Sequence, residues 1–435
     1  MDLQATQGVA LRFQAYIEHL SGVIGHADRH EPLGAYCTGL LLPGERKSVE
    51  PMAARIAPGE VGAKHQSLHH FVAKAPWDET RLLTAVRDYV LPKMDSQAPI
   101  RAWIVDDTGI RKKGRHSVGV ARQYCGEIGK QDNCQVAVTL SVASDHASLP
   151  IAFRLYLPEP WVKDEERRKK AGTPGDIAFR TKSQIALDQI GQAITDDVPK
   201  GVVLADAGYG NDTAFRNGLT EFGLTYVVGV QGSTAVWTPG TEPLLAKSWS
   251  GIGRRPKLLR RDDAVKPVKL SELAKTLSAT AWKTVRWREG TKGALVSRFA
   301  ALRVRPSHRD YWRAEPWPEE WLLIEWPDGE KEPAKYWLST LPAGTTITAL
   351  VDTAKLRWRI ERDFQDLKQE IGLDHYEGRG WRGFHHHAAL SIAAYGFLVA
   401  ERSPIPPSGL LIRALSAEPP KTGETYRPRG SALAA

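Results

Sequence analysis

Cysteine and long apolar runs are both scarce in this 435-residue sequence. The three cysteines, Cys37, Cys125 and Cys134, lie far apart and show no C-x2-C spacing. The sequence therefore predicts neither a disulfide framework nor a zinc site, and buried thiols are the simpler interpretation. No stretch approaches the roughly 20 apolar residues that a membrane span requires. The N-terminus lacks the charged and then apolar layout of a secretion signal, so we expect a cytoplasmic location.

Positive charge is in excess, with 59 Lys and Arg against 50 Asp and Glu and a net charge of +9. Such a balance favours a polyanionic partner, because each phosphate contact releases counterions. Many basic proteins bind no nucleic acid, however, so the charge alone does not identify the partner. The apolar content of 42% is enough for a large core divided among several domains.

Apolar periodicity and turn residues divide the chain into five parts. Residues 1–95 have helical spacing and are interpreted as a separate helical domain. Residues 96–230 contain β-rich runs and then alternating helices and strands, which indicates an α/β mixed sheet flanked by helices. Residues 231–340 hold nine of the 14 tryptophans and are predicted to be a β-rich insertion. The helical pattern resumes over 341–402, and the Pro, Gly and Ser content of 403–435 predicts a flexible C-terminal tail.

Two predicted strands of this sheet run directly into acids. An apolar strand ends at Val105 and is followed by Asp106 and Asp107, and a second ends at Ala205 and is followed by Asp206. Burying a carboxylate is costly unless a partner such as a divalent cation compensates. The alternative is an Asp that begins a turn. Two such endings at the carboxyl edge of one sheet, where open α/β sheets place their sites, favour a functional site.

A third acid lies on a long helix predicted from about Thr346 to Ile371. At 100° per residue, Arg357, Glu361 and Lys368 line up along one border of the apolar stripe of this helix. Glu361 would therefore lie between two cations at the edge of the core. A surface ladder of ion pairs explains the same spacing, and the helix alone does not decide between the two interpretations.

The spacing of these three residues resembles the Y-x2-R-x3-E-x6-K signature of the bacterial insertion-sequence DDE transposases of the cut-and-paste group. Arg357, Glu361 and Lys368 fit the signature, whereas Ala354 stands where the signature has its tyrosine. The resemblance extends over roughly residues 30 to 400.

The acids at the strand ends correspond to the first and second acids of the same family. Asp206 matches the second. The first is Asp106 or Asp107, and a strand covered on both faces has no alternation that would separate them. The resemblance favours Asp107, with Asp106 as the alternative, because the family's acid is commonly followed by a small residue, here Thr108.

The resemblance implies an RNase H-like catalytic core that cleaves DNA and transfers its strands. Two Mg²⁺ or Mn²⁺ ions would be held by Asp107, Asp206 and Glu361, with Asp107 bridging, because two such ions activate the attacking oxygen and stabilise the leaving oxygen. It also implies a helical N-terminal domain that reads the transposon's terminal inverted repeats, a target DNA, and a homodimer in the synaptic complex. A metal-dependent nuclease without strand transfer and a domesticated DNA-binding protein are the alternatives.

Several cations are predicted to contact phosphates. The resemblance places Arg357 and Lys368 beside the scissile bond. Basic runs suggest further DNA contacts at Arg111, Lys112, Lys113, Arg254, Arg255, Arg260 and Arg261, the alternative being a solvated basic face.

Two further features are weighed against simpler explanations. His385, His386 and His387 point about 100° apart on a helix and cannot converge on one metal ion. Most tryptophans of the insertion must be core, because strands favour aromatic residues. In relatives that excise DNA through a hairpinned end, an aromatic residue of the insertion stacks on a flipped base. We therefore predict that at least one of these tryptophans is exposed and faces the acids.

Overall fold

One mixed sheet of twelve strands forms the centre of the protein. The structure is a computed structural model that describes residues 3–262, 264–290 and 293–402. The predicted tail, 403–435, lies outside the described residues. The strands are β1 (Ala102–Arg111), β2 (Ala121–Cys125), β3 (Lys130–Ala143), β4 (Ser148–Leu155), β5 (Val202–Ala205), β6 (Tyr226–Val230), β7 (Ala235–Trp237), β8 (Val268–Lys269), β9 (Lys283–Gly290), β10 (Gly293–Pro306), β11 (Glu320–Trp326) and β12 (Lys335–Ser339).

Helices flank the sheet. They are α1 (Leu3–Ser21), α2 (His30–Leu41), α3 (Val49–Ile56), α4 (Val61–Ala73), α5 (Glu79–Asp95), α6 (Glu159–Lys163), α7 (Glu165–Ala171), α8 (Lys182–Thr195), α9 (Ala207–Gly210), α10 (Thr213–Glu221), α11 (Leu270–Thr276), α12 (Ile347–Lys355), α13 (Trp358–Asp366) and α14 (Trp381–Arg402). Within the described part of the chain, no helix has both the length and the apolar character needed to cross a membrane.

Five strands form the core of the sheet, in the order β4, β3, β1, β5, β6. β1, β3 and β4 pair antiparallel, whereas β1, β5 and β6 run parallel. The parallel strands are connected through helices, as parallel pairing requires. This arrangement confirms the predicted RNase H-like mixed sheet.

The tryptophan-rich region, residues 231–340, is β-rich, as predicted. Its strands continue the core sheet, so we call this region the extension. β12 pairs antiparallel with β6, and β11 and β10 follow. Apolar side chains of the two parts share one cluster, in which Val227 of the core lies with Phe299 and Trp337 of the extension and Leu350 of α12. The extension therefore provides part of the surface on which α12 packs.

The described part of residues 1–95 is helical, as predicted, and its helices pack against the rest of the protein. α1 to α5 share one apolar cluster with α14 and with a face of the sheet. Almost every residue of α14 is buried, and a helix that is apolar on all sides needs neighbours all round. The contact is close at Gly396, where a Cβ atom would lie 2.8 Å from Cγ1 of Val86.

The helix predicted from Thr346 to Ile371 is interrupted, so the prediction of one continuous helix is wrong. α12 ends at Lys355 and α13 begins at Trp358, and the amides of Arg359 and Ile360 bond to the carbonyls three residues earlier. Such bonds tighten the chain into a short 3-10 turn between the two helices. We call this segment, Leu356 and Arg357, the joint. After α13 the chain continues as a single π-helical turn, Leu367–Ile371.

The first strand is longer than predicted. Its pairing with β3 continues to Arg111, so Asp106 and Asp107 lie inside β1 and not at its end. Its parallel pairing with β5, in contrast, stops at Val105 opposite Ala205. The two acids therefore follow the last residue pair that joins these central strands.

Candidate active site

The register of β1 and β5 brings two acids to the same level of the sheet. Val105 pairs with Ala205, so Asp106 and Asp206 are the next residues on adjacent parallel strands. Asp206 also caps the short helix α9, since its Oδ1 accepts a hydrogen bond of 2.8 Å from the amide of Gly208. This cap fixes the Asp206 carboxylate at the carboxyl edge of the sheet.

Asp106 and Asp107 have different partners, as expected for successive strand residues that point to opposite faces. Asp106 faces α13, where the Nη1 atom of Arg357 donates to its Oδ2 at 2.6 Å. Asp107 accepts from Nζ of Lys182 at 2.9 Å and from the hydroxyl of Tyr209 at 3.2 Å. Of the two acids, only Asp106 thus contacts Arg357, the residue directly before the helix that carries Glu361.

Arg357 is the centre of this cluster. Its Nη2 atom donates to Oε1 of Glu361 at 2.5 Å while its Nη1 atom binds Asp106. Burial opposes the charged form of Arg357, but the carboxylates of Asp106, Glu361 and Asp206 outweigh it and raise the pKa of the guanidinium. Arg357 thus contacts two acids, Asp106 and Glu361, and is close enough to Asp206 to be influenced by its charge.

The acids also influence one another. Burial raises the pKa of Asp106 to about 7, and the nearby charges of Asp206 and Asp107 act in the same direction, against the Arg357 guanidinium. Carboxylates that share a site raise one another's pKa, and such shifts are concentrated at functional sites. The arrangement is an acidic cluster whose charge is partly offset by the Arg357 guanidinium.

The donor set fits a divalent cation, because carboxylate oxygens are the ligands that Mg²⁺ and Mn²⁺ prefer. Among the described residues, no three His, Cys, Asp or Glu side chains stand close enough together to hold an ion as they are placed. Arg357 lies among the three acids instead, and the Glu361 side chain is 60% exposed. Metal binding would require that Arg357 release Asp106 and that Glu361 turn inward.

Lys368 does not point to solvent beside Glu361. Its Nζ donates to the carbonyl of Gly109 at 2.7 Å and to Oε2 of Glu127 at 2.8 Å, and the side chain is only 13% exposed. Because Lys368 lies in the π-helical turn, it reaches back to β1. The signature lysine therefore stabilises the strand that carries Asp106.

The basic residues after β1 differ in their exposure. Arg111 is mostly exposed and forms an ion pair of 3.2 Å with Asp132. Lys112 is turned inward, donates to the carbonyl of Tyr376 at 2.6 Å, and has its pKa lowered by burial. Lys113 is exposed. Of the three predicted DNA contacts here, Lys112 is thus the least accessible.

The second basic run divides in the same way. Arg254 and Arg255 are exposed, whereas the Nε of Arg260 donates to a backbone carbonyl. Arg261 forms an ion pair of 2.7 Å with the fully buried Asp310. Of the four arginines predicted to contact DNA here, Arg254 and Arg255 are thus exposed, whereas Arg260 and Arg261 form contacts within the protein.

Two of the nine tryptophans in the extension are exposed, Trp249 at 51% and Trp312 at 60%. Trp312 ends the 3-10 turn Asp310–Trp312, and the nearby His308 hydrogen bonds to Thr213, the first residue of α10. Trp312 thus lies on a segment tied to the helix that follows the Asp206 region. The remaining tryptophans are buried or half-buried: Trp237, Trp282, Trp287, Trp317, Trp321, Trp326 and Trp337.

The three consecutive histidines are buried in α14 and have separate partners. His385 bonds to the carbonyl of Trp381 and accepts from the amide of Leu155. His387 lies between the hydroxyl of Tyr36 and the carbonyl of Gly372. They join helices and strands of the core.

Lys182 and Tyr209 were missed by the sequence analysis. Tyr209 has a weak signal, because it follows Asp206 within the short glycine-rich segment Asp206–Gly210. Lys182 has none, since only the packing of α8 brings it to Asp107.

Residues 19–294 match the family described as DDE superfamily endonuclease. The chain therefore belongs to this superfamily, which confirms the predicted DDE family and implies dependence on a divalent metal. Over 169 residues it is 34% identical to a probable transposase for insertion sequence element IS701 from Microchaete diplosiphon. That match covers 39% of this chain and 41% of the relative, so the chain spans about two fifths of the relative's length.

A solved structure also matches the chain. It is the cryo-EM structure of a piggyBac transposase synaptic complex with hairpin DNA, with a TM-score of 0.42 and 10% identity over 87% of this chain and 66% of that chain. The family match ends at residue 294, so Arg357, Glu361 and Lys368 lie beyond the matched residues.

Proposed function

We propose that this protein is a DNA transposase that binds transposon ends and catalyses metal-dependent cleavage and strand transfer. The observation that carries the proposal is the convergence of Asp106, Asp206 and Glu361 around Arg357. Membership of the DDE endonuclease superfamily and similarity to an insertion-sequence transposase support it.

We assign Asp106, not Asp107, as the first acid of the triad. Asp106 is linked to Glu361 through one guanidinium, whereas Asp107 is bound by Lys182 and Tyr209. A shared metal requires acids that approach one another from the same side. Asp107 would then hold α8 and α9 against β1, and through α9 it would support the loop of Asp206.

Asp106, Asp206 and Glu361 would hold two Mg²⁺ or Mn²⁺ ions. Such a pair, when bound, supplies an activated oxygen nucleophile and stabilises the leaving oxygen. Arg357, once released from Asp106, would contact a phosphate beside the scissile bond with its planar guanidinium. Lys368 would hold β1 in place and contact phosphate only if it leaves Glu127.

The partners follow from this activity. They are the terminal inverted repeats and the target DNA, with a homodimer in the synaptic complex and a cytoplasmic location. The exposed cations Arg111, Lys113, Arg254 and Arg255 would contact the phosphate backbone, which supplies affinity without sequence information. Residues 1–95 would contribute to end recognition.

The test uses the purified full chain, a duplex carrying the inverted repeats that flank the gene, and a target plasmid. With Mg²⁺ we expect cleavage at the repeat ends followed by joining to the plasmid, and with EDTA neither. Asp206→Asn should bind the ends but leave them intact, because base and phosphate contacts supply most of the affinity. Cleavage without joining would favour the nuclease alternative, and binding without cleavage would favour a domesticated DNA-binding protein.

A further inference from the structure

A buried lysine at the end of α12 contacts the sheet extension. The Nζ atom of Lys355 lies 2.7 Å from both carboxylate oxygens of Glu325 in β11. The two side chains are only 16% and 7% exposed. An ion pair so far removed from water depends on good geometry, and removing one partner leaves the other charge buried and uncompensated.

Aromatic rings complete the surroundings of this ammonium group. Nζ of Lys355 lies 4.2 Å from the ring centroid of Trp287, 5.4 Å from that of Phe299 and 5.6 Å from that of Trp337. These distances are within the range of cation–π attraction, which is strongest for desolvated groups. Lys355 is thus held by one carboxylate and three rings, all from the extension.

Lys355 is separated from Arg357 by a single residue. α12 ends at Lys355, and Arg357 directly precedes α13 and contacts both Asp106 and Glu361. Any shift of Lys355 would therefore move the joint that presents the active-site arginine.

The other side of the joint is also held by the extension. The guanidinium of Arg288 in β9 lies 3.9 Å from the ring centroid of Trp358, the first residue of α13. Ala354, which stands where the transposase signature has a tyrosine, packs into the apolar cluster on this surface but offers no polar group. Lys355, next to Ala354 in the same helix, provides a polar contact of α12 with the extension through its ion pair with Glu325.

We propose that Lys355 is a positioning residue. Its contacts with Glu325 and the three rings fix the joint between α12 and α13 and thereby hold the backbone that carries Arg357 and Glu361 opposite β1. The consequence for catalysis rests on the proposed function, whereas the structural role does not. Two of the nine tryptophans of the extension, Trp287 and Trp337, line this cage.

The first measurement needs neither DNA nor metal. In the full chain, hydrogen exchange is compared between the wild type and Lys355→Met, which keeps most of the aliphatic stem but removes the charge. We expect amides over 356–366 to exchange at least about tenfold faster, while β3 is unchanged, because local contacts set local opening. Glu325→Gln, a milder change, should have the same effect to a smaller degree.

Two controls make the result specific. Lys275→Met breaks the exposed ion pair of Lys275 with Glu332, elsewhere on the extension, and should leave 356–366 unchanged. Lys355→Arg keeps the charge and should retain most of the protection. Unchanged exchange in both Lys355→Met and Glu325→Gln would overturn the proposal, and so would a uniform increase over the whole chain, which would indicate general destabilisation.

The second measurement is nicking of the end duplex under single-turnover conditions. In Lys355→Met we expect the rate of cleavage by bound enzyme to fall at least about tenfold with the affinity for DNA unchanged, and Lys355→Arg to restore it. A loss of affinity with an unchanged cleavage rate would contradict the positioning role. If the wild type cleaves no DNA, the proposed function fails, and the exchange measurement still decides the role of Lys355.

Discussion

Arg357 and Asp106 form an ion pair of 2.6 Å between residues that are 251 positions apart in the sequence. The same guanidinium binds Glu361, so one cation links the strand and the helix of the acidic cluster. Without a cation, carboxylates this close would repel one another, and burial would favour their neutral forms. Arg357 therefore compensates the negative charge of this acidic cluster.

The assignment of the first acid gives a direct prediction. Asp106→Asn should abolish metal-dependent cleavage of an end-labelled duplex, because it removes a metal ligand. Asp107→Asn should reduce the rate by roughly 10- to 100-fold, the usual effect of a residue that supports a ligand from behind. Asp132→Asn serves as the control. Asp132 also lies near β1, but its ion-pair partner is Arg111 and not a residue of the acidic cluster. Full activity of Asp106→Asn together with an inactive Asp107→Asn would show that Asp107 is the ligand.

A second prediction concerns competition between Arg357 and the metal. Arg357→Gln removes the cation that occupies Asp106 and Glu361, so the DNA-free variant should bind Mn²⁺ more tightly than the wild type. The same variant should cleave more slowly, because it lacks a phosphate contact. Calorimetric titration of Mn²⁺ into the two proteins measures the first effect. Weaker binding by the variant would mean that Arg357 helps to arrange the acids and does not compete for them.

The third prediction follows from the buried His387. Its Nε2 can donate to the carbonyl of Gly372, and in the neutral ring its Nδ1 accepts from the hydroxyl of Tyr36. Burial lowers its pKa from 6.5 to about 4. Between these values the unfolded chain binds the proton and the folded chain does not. The free energy of unfolding should therefore decrease as pH falls from about 6.5 to about 4, by at most roughly 3 kcal/mol from this residue.

Urea unfolding at a series of pH values checks this. His387→Gln should be less stable than the wild type at pH 7, because it disturbs a buried hydrogen-bond network, but its stability should depend less on pH. His116→Gln, at an exposed histidine, should keep the wild-type pH dependence. An identical pH dependence in His387→Gln and the wild type would show that His387 is not held neutral.

Much of the fold could be predicted from the sequence because its elements are short and strongly patterned. The strand before Asp206 ends at Ala205, as predicted. The continuation of β1 beyond Asp107 was not visible, since its pairing with β3 depends on a partner far along the chain. The interruption between α12 and α13 was likewise not visible, because the helical spacing of apolar residues continues across Leu356.

The acids of the candidate site could be proposed from the sequence, but their arrangement could not. Asp206 and Glu361 were predicted from a strand ending and a helical face, and resemblance linked them. The choice between Asp106 and Asp107 depends on which face of β1 meets α13, and a fully covered strand carries no alternation that reveals this. The inward direction of Lys368 arises from the π-helical turn, which the sequence pattern does not indicate.

The last prediction concerns the exposed aromatic side chains of the extension. Trp312 rests between Tyr311, at 5.5 Å between ring centroids, and Arg309, at 5.0 Å, on the segment tied to α10. The indole N–H of Trp249, in contrast, donates to the carbonyl of Gly253 in its own loop. If a flipped base stacks on the extension, Trp312 is the better placed of the two. Base stacking on an aromatic ring contributes about 1 to 3 kcal/mol.

Trp312→Ala should therefore slow second-strand cleavage by roughly 10- to 100-fold while the first nick proceeds at the wild-type rate, since only the later step needs a base held outside the duplex. Trp249→Ala is the matched control and should leave both steps unchanged. Because Trp312 is 60% exposed, its removal leaves no cavity, and the unfolding midpoint of the variant should stay close to that of the wild type. The two steps are followed on a duplex labelled on each strand in turn. Equal slowing of both strands, or no effect at either tryptophan, would leave the extension with the structural role of holding α12 and α13.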